Sequence, residues 1–569
     1  MRVNRSWFAS ALLVSFLLFS GVYYAVSFDS DFGKVYVKKV SIKEDNLELS
    51  GLLYRPASMR ADEPAAAVIL AHGIGGSKEM MSCIGLELAR RGFISLCLDL
   101  YGHGQSQGTV ADGRREHSFG VYSAVNYLRL QPLVNSSSII LIGHSLGAGA
   151  VRAAAQKTDV AALILIAGGL GGPVEALDYA TFNATFPKNL LVIVGRYDVL
   201  FNAEELADKV LPSAFGINGS VVPGMLYGDF SSRTARKFVV SPTTHILEPL
   251  DPTVIRESID WVKKTVGKPE GPENLVYPQR ELSVLMALLG ALGAPILALY
   301  ASEGFIKESD LKMVEVEEIA HRRWRLYLVW GLINLILFIP LFIVGLYMLF
   351  PPLVFGSSVA WWLLVSGLVG LMLITEFSSR LLGRKLALRK MFGQLFFKEN
   401  IIVAAMVFVI LYAGVAFLNW LLAFNFRVVV TILKNLSSIR RVLAFAAFIP
   451  FFLPYFIAEG LYLNRFAPKA INRKTIWNKL QIIAEKIFGK TAPLIFPLSL
   501  QYAVKIGLDF WLIPSFLGFL LDFLWLIAPL FIIAIVFSHC FYEKTGEIFS
   551  GALFNTLLFA WVASTAFPF

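Results

Sequence analysis

The sequence predicts two unlike parts in one chain. One is an α/β domain whose mostly parallel sheet is covered by helices on both faces, and the other is an all-α block of membrane-length helices. Two observations carry this division. First, the 569-residue chain is 56% hydrophobic, with a mean hydropathy of +0.63, above the roughly 45–50% of soluble domains. The excess lies beyond residue 281, where long apolar runs recur. Second, from residue 28 to about 270, short apolar runs ending in glycine alternate with helical periodicity. That is the pattern of buried parallel strands and their crossover helices.

The chain opens with "MRVNRSWFASALLVSFLLFSGVYYAVSFDSD". Arg2 and Arg5 precede about twenty apolar residues, enough to span a bilayer. A cleaved signal peptide would use "AVS" at 25–27. The length of the run favours a retained signal anchor over residues 1–27. In both readings the arginines stay in the cytoplasm and residue 28 onward is exported.

Strands are expected at 34–42, 47–56, 65–73, 93–100, 137–145, 161–169, 189–198 and 237–245. Helices are expected at 77–91, 115–130, 146–156 and 252–266. This domain spans 28–268, and a Pro-rich, charged linker covers 269–281. Residues 282–569 form the transmembrane domain of about seven or eight helices, with apolar segments at 283–301, 326–350, 354–375, 400–424, 442–463, 509–537 and 548–568. Residues 491–507 read as a short extra span or an interfacial piece.

Nearly all of the formal charge of +10 falls beyond residue 280. It sits in short basic stretches at 321–325, 380–390 and 464–474. The positive-inside rule places these in the cytoplasm, which agrees with an exported first domain. The basic balance therefore implies membrane lipids and no nucleic acid. Residues 425–441, with Arg427, Lys434, Arg440 and Arg441, conflict with that count: either they form a surface-lying amphipathic helix or the count of spans fails there. Cys83, Cys97 and Cys540 have neither metal-ligand nor disulfide spacing and read as buried small hydrophobes.

The chemistry centres on "LIGHSLGAG". Gly143-His144-Ser145-Leu146-Gly147 is a G-x-S-x-G pattern that follows a strand and opens a helix. Glycines suit a turn this tight, and the turn lifts the serine hydroxyl at the carboxyl edge of the sheet. Ser145 needs a base, and the base needs an orienting carboxylate. Asp198 ends the strand in "LLVIVGRYDVL". His245 ends the strand in "FVVSPTTHILEP" and is the only histidine between Ser145 and the apolar half. The oxyanion hole needs two backbone N–H groups. Leu146 supplies one, and the loop His72-Gly73-Ile74-Gly75-Gly76 supplies the other through Ile74, with Gly75 as the alternative. His72, Gly73, Gly75, Gly143, His144 and Gly147 are expected to shape the site. His72 in particular holds its loop and is not the base.

Taken in order, "HGIGG", "DLYGHGQS", "GHSLG", "GRYD" and "SPTTH" resemble the α/β-hydrolase superfamily. The set is most similar to the branch of monoglyceride lipase-like and serine aminopeptidase-like enzymes. The resemblance covers roughly residues 35–268. It implies hydrolysis of an ester, thioester or amide through an acyl-enzyme, with no metal and no organic cofactor. It also implies that Asp99 and His103 shape the site without reacting. An acyl-ester or lipid-like substrate is expected. An acyltransferase or peptidase would share the same triad. A reading of another class is a transporter or scaffold in which this domain only binds.

Where many relatives carry a helical cap, "GGLGGPVEALDYATFNATFPK" is short, so an open site is expected. Asn135, Asn183 and Asn218 head N-x-S/T triplets that allow glycosylation. Among the apolar runs Asp522 is the deepest acid and Glu459 lies nearer a boundary. Such an acid is either functional or the helix-packing partner of a base such as Lys505.

Overall fold

The computed structural model describes residues 5–44, 46–60, 62–168, 182–267, 271–301, 323–348, 350, 353–382, 397–428, 430–465, 476–513 and 515–569. Residues 321–322, 383–390 and 466–474 of the basic stretches, and most of the short segment after residue 168, lie outside the described residues.

A nine-stranded sheet forms the first part, in the order β1-β2-β4-β3-β5-β6-β7-β9-β8. The hairpin of β1 (Val35–Glu44) and β2 (Leu47–Pro56) is antiparallel, and β2 pairs antiparallel with β4 (Ile94–Leu98). From β4 the strands β3 (Ala65–Ala71), β5 (Val134–His144), β6 (Ala162–Ile166), β7 (Leu190–Gly195) and β9 (Arg236–Ser241) run parallel. The two-residue β8 (Leu226–Tyr227) pairs with the edge of β9; it is too short to leave a periodic signal in the sequence.

Alternation along each strand feeds two cores. Ile69, Leu141, Leu163 and Val192 pack on one face with Val125 and Val151 from the helices Val121–Arg129 and Leu146–Lys157. Leu70, Ile140, Ile164 and Ile193 pack on the other with Ile84 and Ile259, from Ser82–Ala89 and Pro252–Val266. The last helix is locally specified. Asp251 caps its first turn, Pro252 opens it, and Gly267 closes it in a left-handed conformation.

The described residues include eight helices long and apolar enough to cross a membrane. One is the N-terminal helix Arg5–Asp29. It packs along Tyr277–Ala301 at a glycine-lined crossing: a Cβ at Gly21 would lie 2.3 Å from the Ala287 nitrogen, and one at Gly290 would lie 2.4 Å from that of Leu18. The others run from Arg323–Met348 through Phe549–Ala566. Residues 491–507 are the second half of one 33-residue helix, Ile476–Leu508, and not a separate piece.

Phe426–Val428 and Val430–Leu433 pair as an antiparallel hairpin where an amphipathic helix was expected. The β-branched run from Val428 to Ile432 explains this, since such residues favour strands. The hairpin lies against the sheet domain. Lys434 Nζ, just beyond it, pairs with Glu79 Oε2 at 2.8 Å, while Arg427 Nη2 pairs with Glu281 Oε1 of the helix Tyr277–Ala301 at 2.9 Å. A second tie runs through the loop after β4, where the Phe569 N–H donates to Gly102 O at 3.1 Å and the Val110 N–H donates to Phe569 O at 2.6 Å. Arg441 Nη2 also donates to Gly102 O, at 3.2 Å.

Candidate active site

Four strands deliver their carboxyl ends to one place. β3 leads into the loop 72–76, β5 into Ser145, β7 into Asp198 and β9 into His245. Ser145 stands between β5 and its helix at φ 53 and ψ −118, a strained conformation for a residue with a side chain. The neighbouring chain leaves room only for glycine on either side. A Cβ at Gly143 would lie 2.2 Å from Gly147 O, and one at Gly147 would lie 2.3 Å from Ala71 O. This strain turns the serine out of the helix and over the sheet edge.

The Ser145 hydroxyl meets His245 Nε2 at 3.1 Å, and His245 Nδ1 meets Asp198 Oδ2 at 2.8 Å. The carboxylate can only accept, so Nδ1 carries the proton and Nε2 is left to accept from the serine. Asp198 is fixed through its other oxygen, which accepts from the N–H groups of Leu200 at 2.7 Å and Phe201 at 3.1 Å. The imidazole is held between Phe201, stacked at 6.0 Å, and the edge of Phe519, at 5.5 Å. Burial alone would depress the His245 pKa. The Asp198 charge and hydrogen bond outweigh it, with a contribution from Asp522, and hold it above its ordinary value.

The backbone donors converge from two sides. Leu146 is the first residue of its helix, so its N–H has no intrahelical acceptor. Ile74 sits in the tight turn closed by the Gly76 N–H donating to Gly73 O at 3.0 Å. Gly75 in that turn takes φ +71, which suits glycine. His72 is bound on both nitrogens, with Nδ1 2.7 Å from Gly73 O and Nε2 accepting from the Leu100 N–H at 3.2 Å. Burial lowers its pKa to about 4, so it stays neutral and shapes the loop. His103 is likewise lowered, to about 3, by burial and then by His72. Asp99 joins the same loops, accepting from Lys78 Nζ at 2.5 Å and from the Gln105 N–H at 2.9 Å.

His144 and Glu248 form a layer behind the base. His144 Nε2 lies 3.0 Å from the carbonyl oxygen of His245 and 3.3 Å from Glu248 Oε2. Burial lowers the His144 pKa, with the His245 charge adding to it, while burial and then Asp198 raise that of Glu248. Burial thus works against charge on both groups, and Glu248 Oε2 has no hydrogen-bond partner among the described residues. His144, His245 and Glu248 are close enough together to hold a metal ion. However, both ring nitrogens of His245 already face Asp198 and Ser145, so an ion there would dismantle that relay. Sequence reasoning missed Glu248, although it follows His245 by three residues on the same helical turn. It also missed Phe201 and Phe519.

The site is roofed, contrary to the open site expected from the short cap segment. Helices from the apolar half cover the sheet edge instead, and a cavity of about 160 Å³ lies between them and Ser145. Asp522, on the helix Ser515–Thr545, is one turn beyond Phe519. Its Oδ1 accepts from the Tyr502 hydroxyl at 2.8 Å. Lys505 pairs with Asp509 at 2.9 Å and not with Asp522, because it lies on the following turn of its own helix, beside the acid four residues on.

The sheet order is that of the α/β-hydrolase fold, joined to a helical region with several long apolar helices. Residues 66–208 match the family model of the alpha/beta hydrolase fold. That match includes Ser145 and Asp198 and ends before His245. Among solved structures, an esterase from Pyrococcus furiosus is 19% identical, covering 41% of this chain and 93% of its own, with a TM-score of 0.33. Est1E from Butyrivibrio proteoclasticus, solved with ferulic acid, is 18% identical over 40% of this chain and 98% of its own, with a TM-score of 0.29. A lidless serine hydrolase from Xanthomonas campestris is 17% identical over 42% of this chain and 97% of its own, also with a TM-score of 0.29. No curated protein matches the sequence.

Proposed function

We propose that the protein is a membrane-anchored serine hydrolase that cleaves a carboxylic ester, with its sheet domain on the outer face. The observation that carries this reading is the continuous hydrogen-bonded relay from Asp198 through His245 to a strained Ser145. His245 Nε2 takes the serine proton as Oγ bonds to the ester carbonyl carbon. The developing oxyanion lies against the N–H groups of Leu146 and Ile74. The C–O bond to the alcohol then breaks, and His245 gives its proton to the departing oxygen. Water repeats the sequence: its proton goes to His245, its oxygen to the carbonyl carbon, and Ser145 recovers a proton as the acid leaves. The exported orientation rests on the basic stretches between the apolar helices and on the two N-terminal arginines.

The test is covalent labelling of the purified protein in detergent by a fluorophosphonate, beside Ser145→Ala and His245→Ala. Labelling of the wild type that disappears in Ser145→Ala is the expected result. A folded wild-type protein that does not label would remove the reading.

A further inference from the structure

The cavity above Ser145 belongs only in part to the sheet domain. The loop 73–76, Ser145 and the two histidines His144 and His245 form its floor. Val359, Phe452, Phe523, Leu530, Phe559 and Ala563, from four helices of the apolar half, form much of the rest. Apart from Ser145 and those histidines, the lining consists of glycine, methionine, proline, aliphatic and aromatic residues. A charged or hydroxyl-rich group would find no partners along these walls.

The cavity also reaches the flank of the molecule. Trp525 lines it and is 46% exposed, on a helix long and apolar enough to cross a membrane. Pro529, one turn on, has no N–H for the carbonyl of Trp525, so the helix loses a backbone bond where it forms the cavity wall. A passage that starts at a reactive hydroxyl, has apolar walls and opens toward hydrocarbon fits a hydrocarbon chain with a carbonyl at its inner end.

We propose that these helices form the acyl-binding half of the site, and that the substrate is a long-chain ester drawn from the bilayer. This rests on reading Ser145 as the nucleophile. The chain lies among the helices, the carbonyl carbon sits over Ser145, and the alcohol portion lies on the side of the sheet domain. Selection then comes from the apolar half: each methylene that enters the cavity favours binding by about three- to fourfold until the cavity is full.

The experiment uses the full chain in phosphatidylcholine nanodiscs with p-nitrophenyl esters from acetate to palmitate. The wild type is expected to show kcat/KM rising with chain length to an optimum. Ala563→Phe, which fills the cavity, moves that optimum to shorter esters, and Leu530→Ala, which enlarges it, moves it to longer ones. Partitioning of long esters into the bilayer affects every variant alike, so the displacement of the optimum is the readout. Fluorophosphonate labelling of each variant reports whether it is folded with Ser145 active. If labelled wild type hydrolyses acetate and palmitate equally well, the inference is overturned and the serine hydrolase reading stands. The same holds if the labelled variants keep the wild-type profile. Wild type that neither labels nor turns over any ester overturns both.

Discussion

The sheet domain and the helical block follow opposite rules. In the sheet, β3, β6 and β7 are apolar and almost wholly buried, and charge lies chiefly at the surface. In the helices, Trp420 is 77% and Phe496 67% exposed, while Glu459, Lys490 and Asp522 are buried. Lys490 and Glu459 pair with each other there. The first pattern suits water outside and the second suits hydrocarbon outside. The difference locates the chemistry. Acyl hydrolysis needs both a polar relay and access to water, whereas a lipid-like ester needs an apolar path. Among the described residues, a polar relay and an apolar path meet at the seam over Ser145.

The comparison breaks most sharply at the nucleophile. Ser145→Ala should lower ester hydrolysis by about 10⁶-fold and leave thermal unfolding of the purified protein little changed, since Ser145 is not part of either core. Asp198→Asn should cost about 10⁴-fold in kcat, because the imidazole would then favour the wrong tautomer. Turnover of a short ester measures both.

Lys434→Ala tests whether the two parts are locked together. It strips a buried partner from Glu79, although Lys78 Nζ remains 3.9 Å away. A loss of about 2 kcal/mol in unfolding free energy is expected, short of an uncompensated buried charge; unchanged unfolding would mean that the hairpin does not hold the sheet domain. The smallest effect sharpens the seam itself. The base must be neutral to act, and its pKa is held above 6.5. Thus kcat/KM should fall about tenfold per pH unit below that raised value. Asp522 contributes to the elevation, so Asp522→Asn should move the acid limb to lower pH. An unmoved limb would show that this helix carboxylate does not reach the base.

Most of the relay was legible in the sequence because each of its members ends a buried strand. Strand ends are marked by apolar runs and glycines, and a parallel sheet gathers them on one edge. Ser145, Asp198, His245 and the loop 72–76 were found in this way. The roof was not legible. Phe519 and Asp522 lie far from Ser145 in sequence, and no local pattern encodes how one folded part docks on another. Asp522 could be singled out as a costly acid in an apolar run, but not as a neighbour of His245. The hairpin at 426–433 was misread for a different reason: its basic residues were weighed and its β-branched run was not. Glu248 was missed because a buried glutamate looks like any surface glutamate in the sequence.

The composite wall of the cavity also bears on the order of biosynthesis. Domains emerge and fold from the N-terminus during translation, so the sheet and its relay are complete while the ribosome is still making the helices. Phe519, Leu530, Phe559 and Ala563 come from the last stretches to appear. The nascent chain thus carries a formed relay with no roof, and the cavity closes only when the helices Ser515–Thr545 and Phe549–Ala566 pack over it. Packing of these helices over Ser145, and not folding of the sheet domain, becomes the step that completes the cavity.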